Sequence, residues 1–198
     1  QREKNYMLRL RFPGGRISKE HLAFLGEKTR EYPLELMKIT TCQTIQVHNL
    51  TPSQVVSLMR EALQKGIITI GGGGDNPRNV MSSPLSGADS REAFDVLPYA
   101  ETVSDYLISR MTELHLPRKL KVAFSNTEEN TTHANMRDLG FTANPEGTFS
   151  VYCAGGLGPN PKMGVLVEKH GKPQEVSLYV SAMIRLFTKY GDYKNRGK

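Results

Sequence analysis

The chain has 198 residues, 38% of them hydrophobic, and its 26 basic and 20 acidic side chains leave a net charge of +6. Such a chain suits one large domain or two small ones, and its apolar content excludes a disordered or collagen-like polymer. The longest apolar stretch near the C-terminus, residues 176–187, carries Arg185 and is too short to span a bilayer, and no signal or transit segment is visible.

The first segment alternates as a half-buried strand, with Tyr6, Leu8, Leu10 and Phe12 on one side and Met7, Arg9 and Arg11 on the other. Pro13-Gly14-Gly15 ends it. Ser18 caps a helix whose apolar face is expected to include Leu22 and Leu25, and Pro33 is expected to stop it. Residues 38–48 read as one extended run. Ile39, Thr41, Gln43, Ile45 and Val47 share one face of it, and Lys38, Thr40, Cys42, Thr44, Gln46 and His48 the other. Thr51-Pro52-Ser53-Gln54 is a capping box with proline at the first helical position, before a helix expected to bury Val55, Met59 and Leu63 and to stop at Gly66. A short strand over Ile67–Ile70 completes a ferredoxin-like α+β module.

Gly71-Gly72-Gly73-Gly74 marks the expected boundary, dividing the chain into residues 1–70 and 71–198. Beyond it, Asp89 and Glu92 form a second capping-box pattern, and Pro98 opens a helix with Val103, Tyr106, Leu107 and Met111 on one side. Leu116-Pro117-Arg118 leads into a strand where Leu120, Val122 and Phe124 alternate with Lys119, Lys121 and Ala123. Further strands are expected near Phe149–Ala154 and Met163–Glu168, separated by the Gly155-Gly156-Leu157-Gly158-Pro159 loop. A last amphipathic helix carries Val176, Val180, Met183, Ile184 and Phe187, and residues 191–198 form a polar, basic tail that reads as a linker or a cut end.

The chemistry lies in the cations. The positive balance favours an anionic partner, whether nucleic acid, a phosphate, a small oxyanion or a polycarboxylate cofactor. Arg9 with Arg11, and Lys119 with Lys121, leave their strands two residues apart and so on one face, and Arg78 follows a glycine-rich turn. Such groups are either a solvated basic face or a cradle for an oxyanion or carboxylate, with arginine supplying a fork and lysine a point charge. The five histidines show no metal-ligand spacing, and the two cysteines, Cys42 and Cys153, are too few for an iron–sulfur cluster, which normally takes four thiolates. No P-loop or nucleophile–base pair is present.

Residues 8–15 (Leu-Arg-Leu-Arg-Phe-Pro-Gly-Gly), 40–46 (Thr-Thr-Cys-Gln-Thr-Ile-Gln), 75–80 (Asp-Asn-Pro-Arg-Asn-Val) and 116–121 (Leu-Pro-Arg-Lys-Leu-Lys) occur in an order that resembles the N-terminal half of the sirohaem-dependent nitrite and sulfite reductases. His133-Ala134-Asn135 and the Gly155-Gly156-Leu157-Gly158 loop resemble them too. The resemblance implies a ferredoxin-like module followed by half of a pseudo-twofold core, a mixed sheet with flanking helices. It implies six-electron reduction of nitrite or sulfite, with Arg9, Arg78, Lys119 and Lys121 cradling the substrate anion. Arg11, Lys38, Thr40, Gln43, Gln46, His48 and Asn79 would contact sirohaem. It further implies a four-iron four-sulfur cluster held by a C-terminal half outside this chain, a ferredoxin or flavoprotein electron donor, and a cytoplasmic enzyme, inactive as this piece alone. Cys42 stands where the family usually has arginine, which removes one expected carboxylate anchor. Two alternatives are a cofactor-free structural half of such a reductase and a basic RNA-binding module. The second is disfavoured because the polar strand faces carry no aromatic residue on which a base could stack, so neither a nucleic acid nor a membrane is an expected partner.

Overall fold

The computed structural model of the chain describes residues 5–32, 34 and 36–194; Pro33, expected to stop the first helix, and the last four residues of the basic tail lie outside them. Among the described residues the chain is α+β, with a three-stranded and a five-stranded sheet and four helices of three turns or more.

Strand β1 (Tyr6–Arg11) buries Leu8 and Leu10, as its alternation requires. Helix α1 (Lys19–Glu31) starts at Ser18, whose hydroxyl accepts the His21 amide while His21 Nδ1 accepts the Ser18 amide. It buries Phe24, Leu25 and Lys28 and leaves Leu22 exposed, contrary to expectation. The run 38–48 is not continuous. It folds into a hairpin of β2 (Met37–Ile39) and β3 (Thr44–Leu50), because Thr40 and Thr44 close the turn on each other and Gln43 takes a positive φ of 54°. Helix α2 (Pro52–Gln64) is capped by Thr51 and Gln54 as read, but buries Leu58 and Ala62 rather than Met59 and Leu63. The two stripes differ by one residue, a rotation of about 100°, and only packing on the sheet chooses between them. The strand expected at Ile67–Ile70 shrinks to a single bridge between Ile68 and Arg11. With it, the antiparallel order becomes residue 68, β1, β3, β2, the arrangement of a ferredoxin-like module.

The second sheet runs β4 (Met81–Ser82), β5 (Val122–Ser125), β6 (Leu139–Ala143), β7 (Phe149–Cys153), β8 (Val165–Gly171); β4 to β6 are parallel, and β6 to β8 antiparallel. Strand β6 is not expected from the sequence. It is buried on both faces, so its Leu-Gly-Phe-Thr-Ala shows no alternation. Asp89 and Glu92 cap no helix: Asp89 accepts the Arg91 amide in a turn, and Glu92 reaches the Gly87 amide and Asn126. Helices α3 (Leu97–Ser109) and α4 (Val176–Tyr190) cover one sheet face with Val103, Leu107, Val180 and Met183. Phe124 stacks on Phe141 with centroids 4.6 Å apart, and Phe149 meets both edge-on. On the opposite face lie Met81, Ala123 and Ala134, against which Cys42 packs.

The Pro13–Gly15 turn joins the two cores. Gly14 has φ +62°, which strains any side chain, and a Cβ there would also press on Leu97 Cδ1 at 2.3 Å. Its amide donates to the Val80 carbonyl, and Ser82 Oγ donates to its carbonyl.

Candidate functional site

Directly opposed residues in an antiparallel pair point to the same face. Arg9 opposes Gln46, Arg11 opposes Thr44, and Lys38 opposes Gln46. The three-stranded sheet therefore collects Arg9, Arg11, Lys38, Thr44 and Gln46 on one face, while Leu8, Leu10, Ile45 and Val47 fill the core on the other.

That face forms one wall of a cleft of about 260 Å³. The other walls come from the Gly71-Gly72 turn, from Arg78 and Asn79, and from Lys119 and Lys121 just ahead of β5. Five cations thus line one space: Arg9, Arg11, Arg78, Lys119 and Lys121. Among the described residues no carboxylate lines it, although Asp75 lies within electrostatic reach of Arg78.

The arginines are held by carbonyl oxygens. Arg9 and Arg78 both donate to the Gly72 carbonyl, and Arg78 also donates to Gly74 O at 2.8 Å. Arg11, 1% exposed, donates to the carbonyls of Ile70, Pro77 and Arg78 at 3.0–3.4 Å, and its Nε has no partner. The buried Nε of Arg9 is also unpartnered. Burial, reinforced by the Arg78 charge, pulls the Arg11 guanidinium down to about 10. Burial and then Arg9 lower Arg78; burial, then Lys121, Arg118 and Arg78 lower Lys119. The cations crowd one another more than Asp75, the weakest influence on Arg78, offsets, a state that an anion relieves.

The expected site residues divide clearly. Arg9, Arg78, Lys119 and Lys121 share the cleft, joined by Arg11, Thr40, Gln46 and Asn79. Lys38 and His48 do not line it; Lys38 is exposed, and His48 Nε2 pairs with Gln46 Oε1 at 3.1 Å. Gln43 is a clamp between the two cores: its Nε2 donates to the Ser82 carbonyl at 2.6 Å, and its Oε1 accepts the Ser82 amide at 3.0 Å. Asn79 clamps as well, since Nδ2 donates to the carbonyls of Phe12, Cys42 and Gln43. Cys42 is not on a strand face but in the β2–β3 turn; it still lines the cleft, within reach of the charges of Arg11, Arg78 and Lys119. Gly72, in the run expected as a boundary, is a site residue. Its signal was the glycine run itself: a Cβ on Gly72 would lie 2.9 Å from Arg9 Cβ, so only glycine lets the carbonyl approach.

A second cleft, about 490 Å³, lies beyond Lys119 and Lys121, which line both. Its walls include Arg118, Asp138, the Gly155–Gly158 loop, Phe187 and Tyr190.

Comparison with known proteins agrees with this architecture. Residues 1–65 match the nitrite/sulfite reductase ferredoxin-like half domain, and residues 73–198 match the nitrite and sulphite reductase 4Fe-4S domain. The chain therefore belongs to the nitrite and sulfite reductase family. It is 30% identical over 158 residues to a ferredoxin–nitrite reductase of Synechococcus elongatus, covering 76% of this chain and 31% of that protein. It is 29% identical over 199 residues to a ferredoxin sulfite reductase of Mycobacterium tuberculosis, covering 98% and 36%. The structure of the M. tuberculosis NirA protein superposes with a TM-score of 0.87 at 28% identity, over 98% of this chain and 36% of that one. Dissimilatory sulfite reductase I, at 13% identity, shares the fold with a TM-score of 0.80 over 98% of this chain and 65% of its own. The chain spans about a third of the length of the two curated relatives.

Proposed function

We propose that this chain is the N-terminal part of a sirohaem-dependent nitrite or sulfite reductase, with the boundary between its two parts near residue 71. The 260 Å³ cleft would receive the substrate oxyanion beside the carboxylate edge of the cofactor. The observation that carries the reading is the convergence of five cations on one space that no carboxylate lines among the described residues. The names of the relatives, a ferredoxin–nitrite reductase and a ferredoxin sulfite reductase, point the same way and suggest ferredoxin as the electron donor.

The residues present fit a polycarboxylate macrocycle. A buried guanidinium bonded only to carbonyls, with an unpartnered Nε, is costly unless an anion comes to it. Arg11, Thr40 and Gln46 would hold sirohaem by its carboxylates, with Asn79 fixing the turn beneath. When bound, sirohaem would supply the iron and the electron path for a six-electron reduction. The chain's own groups do the rest. The Gly72 carbonyl aims Arg9 and Arg78 into one space, where their N–H groups neutralise an oxyanion and stabilise the charge that builds on its oxygens. Lys119 Nζ, made more acidic by burial and three neighbouring cations, is suited to hand a proton to an oxygen leaving as water. A four-iron four-sulfur cluster does not fit within this chain, which has two cysteines, Cys42 in the turn and Cys153 at the end of β7. The cluster would belong to the C-terminal half of the reductase.

The test is a spectrum and an assay. The polypeptide containing this chain, purified from sirohaem-producing cells, should show a sirohaem absorption band and reduce nitrite or sulfite with reduced methyl viologen. Colourless protein that turns over neither anion would overturn the reading.

A further inference from the structure

Lys119 and Lys121 precede β5, outside the regular sheet, yet they reach one cleft with arginines from two other segments. Something must fix that short segment. On one edge the Arg78 amide donates to the Leu120 carbonyl at 2.8 Å. On the other, the Lys121 carbonyl accepts the Leu139 amide at 3.2 Å.

In a parallel ladder a residue's N–H bonds to the carbonyl preceding its partner, and its C=O accepts from the amide following that partner. The Lys121 amide would therefore seek the Arg137 carbonyl. That carbonyl is engaged by the Gly155 amide at 2.9 Å, because the glycine loop folds back on it. A Cβ on Gly155 would lie 2.8 Å from the Arg137 oxygen, so this approach needs glycine. The Lys121 amide donates instead to Asp138 Oδ2 at 2.7 Å. Asp138 thus stands where β5 begins, β6 begins and β7 ends, since its own carbonyl accepts the Ala154 amide at 2.9 Å.

We propose that Asp138 is the positioning residue of the Lys119–Lys121 pair: its carboxylate replaces the missing main-chain acceptor and so fixes the segment that carries both ammonium groups into the cleft. The role of those lysines rests on the function proposed above. Asp138 lines the second cleft and does not touch the first. It acts on the site through the backbone of Lys121. That a carboxylate is kept in a partly buried place, where burial pushes it up to about 6, fits a group retained for its bond rather than for stability.

Asparagine at 138 keeps an oxygen acceptor, and alanine removes it, so the pair D138N and D138A isolates the bond. In the 198-residue chain, amide hydrogen exchange at Lys121 and affinity for sulfite and nitrite by calorimetry are the two readouts. In D138A, Lys121 should exchange about tenfold faster or more, and the affinity of the better-bound anion should fall about tenfold. D138N should stay within about threefold of wild type in both. Wild-type exchange in D138A, or a D138N as impaired as D138A, overturns the proposal. If D138A does not fold, D138N decides alone: slow Lys121 exchange supports the proposal and fast exchange refutes it. Should the wild-type chain bind neither anion, Lys121 exchange alone decides the role of Asp138, and the cleft's proposed function stands or falls on the sirohaem-loaded assay above.

Discussion

Replacing Asp138 by asparagine should make the protein more stable near neutral pH and leave it nearly unchanged in acid. The Asp138 carboxyl is raised from 3.8 to about 6, first by burial, against which the Lys121 amide and the charges of Lys121 and Arg118 pull the other way. A carboxyl raised on folding favours the protonated form. Its contribution is fully present below about pH 4 and is lost as pH rises through about 6. A shift of about two pH units at 1.36 kcal/mol each sets a ceiling of about 3 kcal/mol for the cost of the charged form at neutral pH. Asp138 is partly exposed, so solvent screening should reduce this to about 1–2 kcal/mol. Asparagine carries no charge at any pH and keeps the acceptor for the Lys121 amide. Urea unfolding of both proteins, at four values between about pH 4 and pH 7.5, gives the stability difference directly. It should widen in favour of D138N by about 1–2 kcal/mol from acid to neutral, with most of the change between about pH 4 and 6. A constant difference, or one that widens in favour of the wild type, would refute the argument that burial dominates at Asp138.

In a complete reductase containing this chain, Arg78→Ala should cut turnover roughly a hundred- to a thousandfold through loss of one oxyanion donor; a steady-state assay with near-wild-type kcat would remove Arg78 from the chemistry. Cys42→Arg should lower the chain's own stability by about 1 kcal/mol, because a sixth cation joins five in the cleft, and should tighten sirohaem binding roughly tenfold in the presence of the C-terminal half. Equal melting temperatures and equal sirohaem titrations would mean that position 42 does not feel the cleft's charge. Lys28 is buried between Glu31 and Glu61, with Glu61 also held by Tyr32 and Ser57. Lys28→Met should cost about 2 kcal/mol, less than a fully buried pair because both glutamates reach water. It should therefore lower the melting temperature by about 4–8 °C; an unchanged melt would show that the cluster does not tie α1 to α2.

Local structure is legible in the sequence where a short signal meets no competing contact. Ser18, Thr51 and Gln54 announce their caps because an apolar helical stripe follows each and its orphan amides lie three residues from the capping side chain, whereas Asp89 and Glu92, with the same spacing, cap no helix. The alternation in β1 puts Arg9 and Arg11 together, and the order of the motifs is enough to mark the family. Elsewhere the decision was tertiary. Residues 38–48 alternate acceptably as one strand, and only the Thr40–Thr44 closure with β3 pairing to β1 makes them a hairpin. In α2 two apolar stripes one residue apart compete, and the sheet beneath selects Leu58 and Ala62. Strand β6 is silent because a strand covered on both faces needs no polar side. The cleft is the clearest case. Its cations come from three segments up to about 110 residues apart, and nothing local aims them at one another. What aims them are contacts between segments that only folding brings together: the Gly72 carbonyl between Arg9 and Arg78, the Leu120 carbonyl on the Arg78 amide, and the Asp138 carboxylate on the Lys121 amide. Residue types determine which charges are available, but long-range backbone hydrogen bonds decide where they converge, because only the folded chain satisfies those donors and acceptors together.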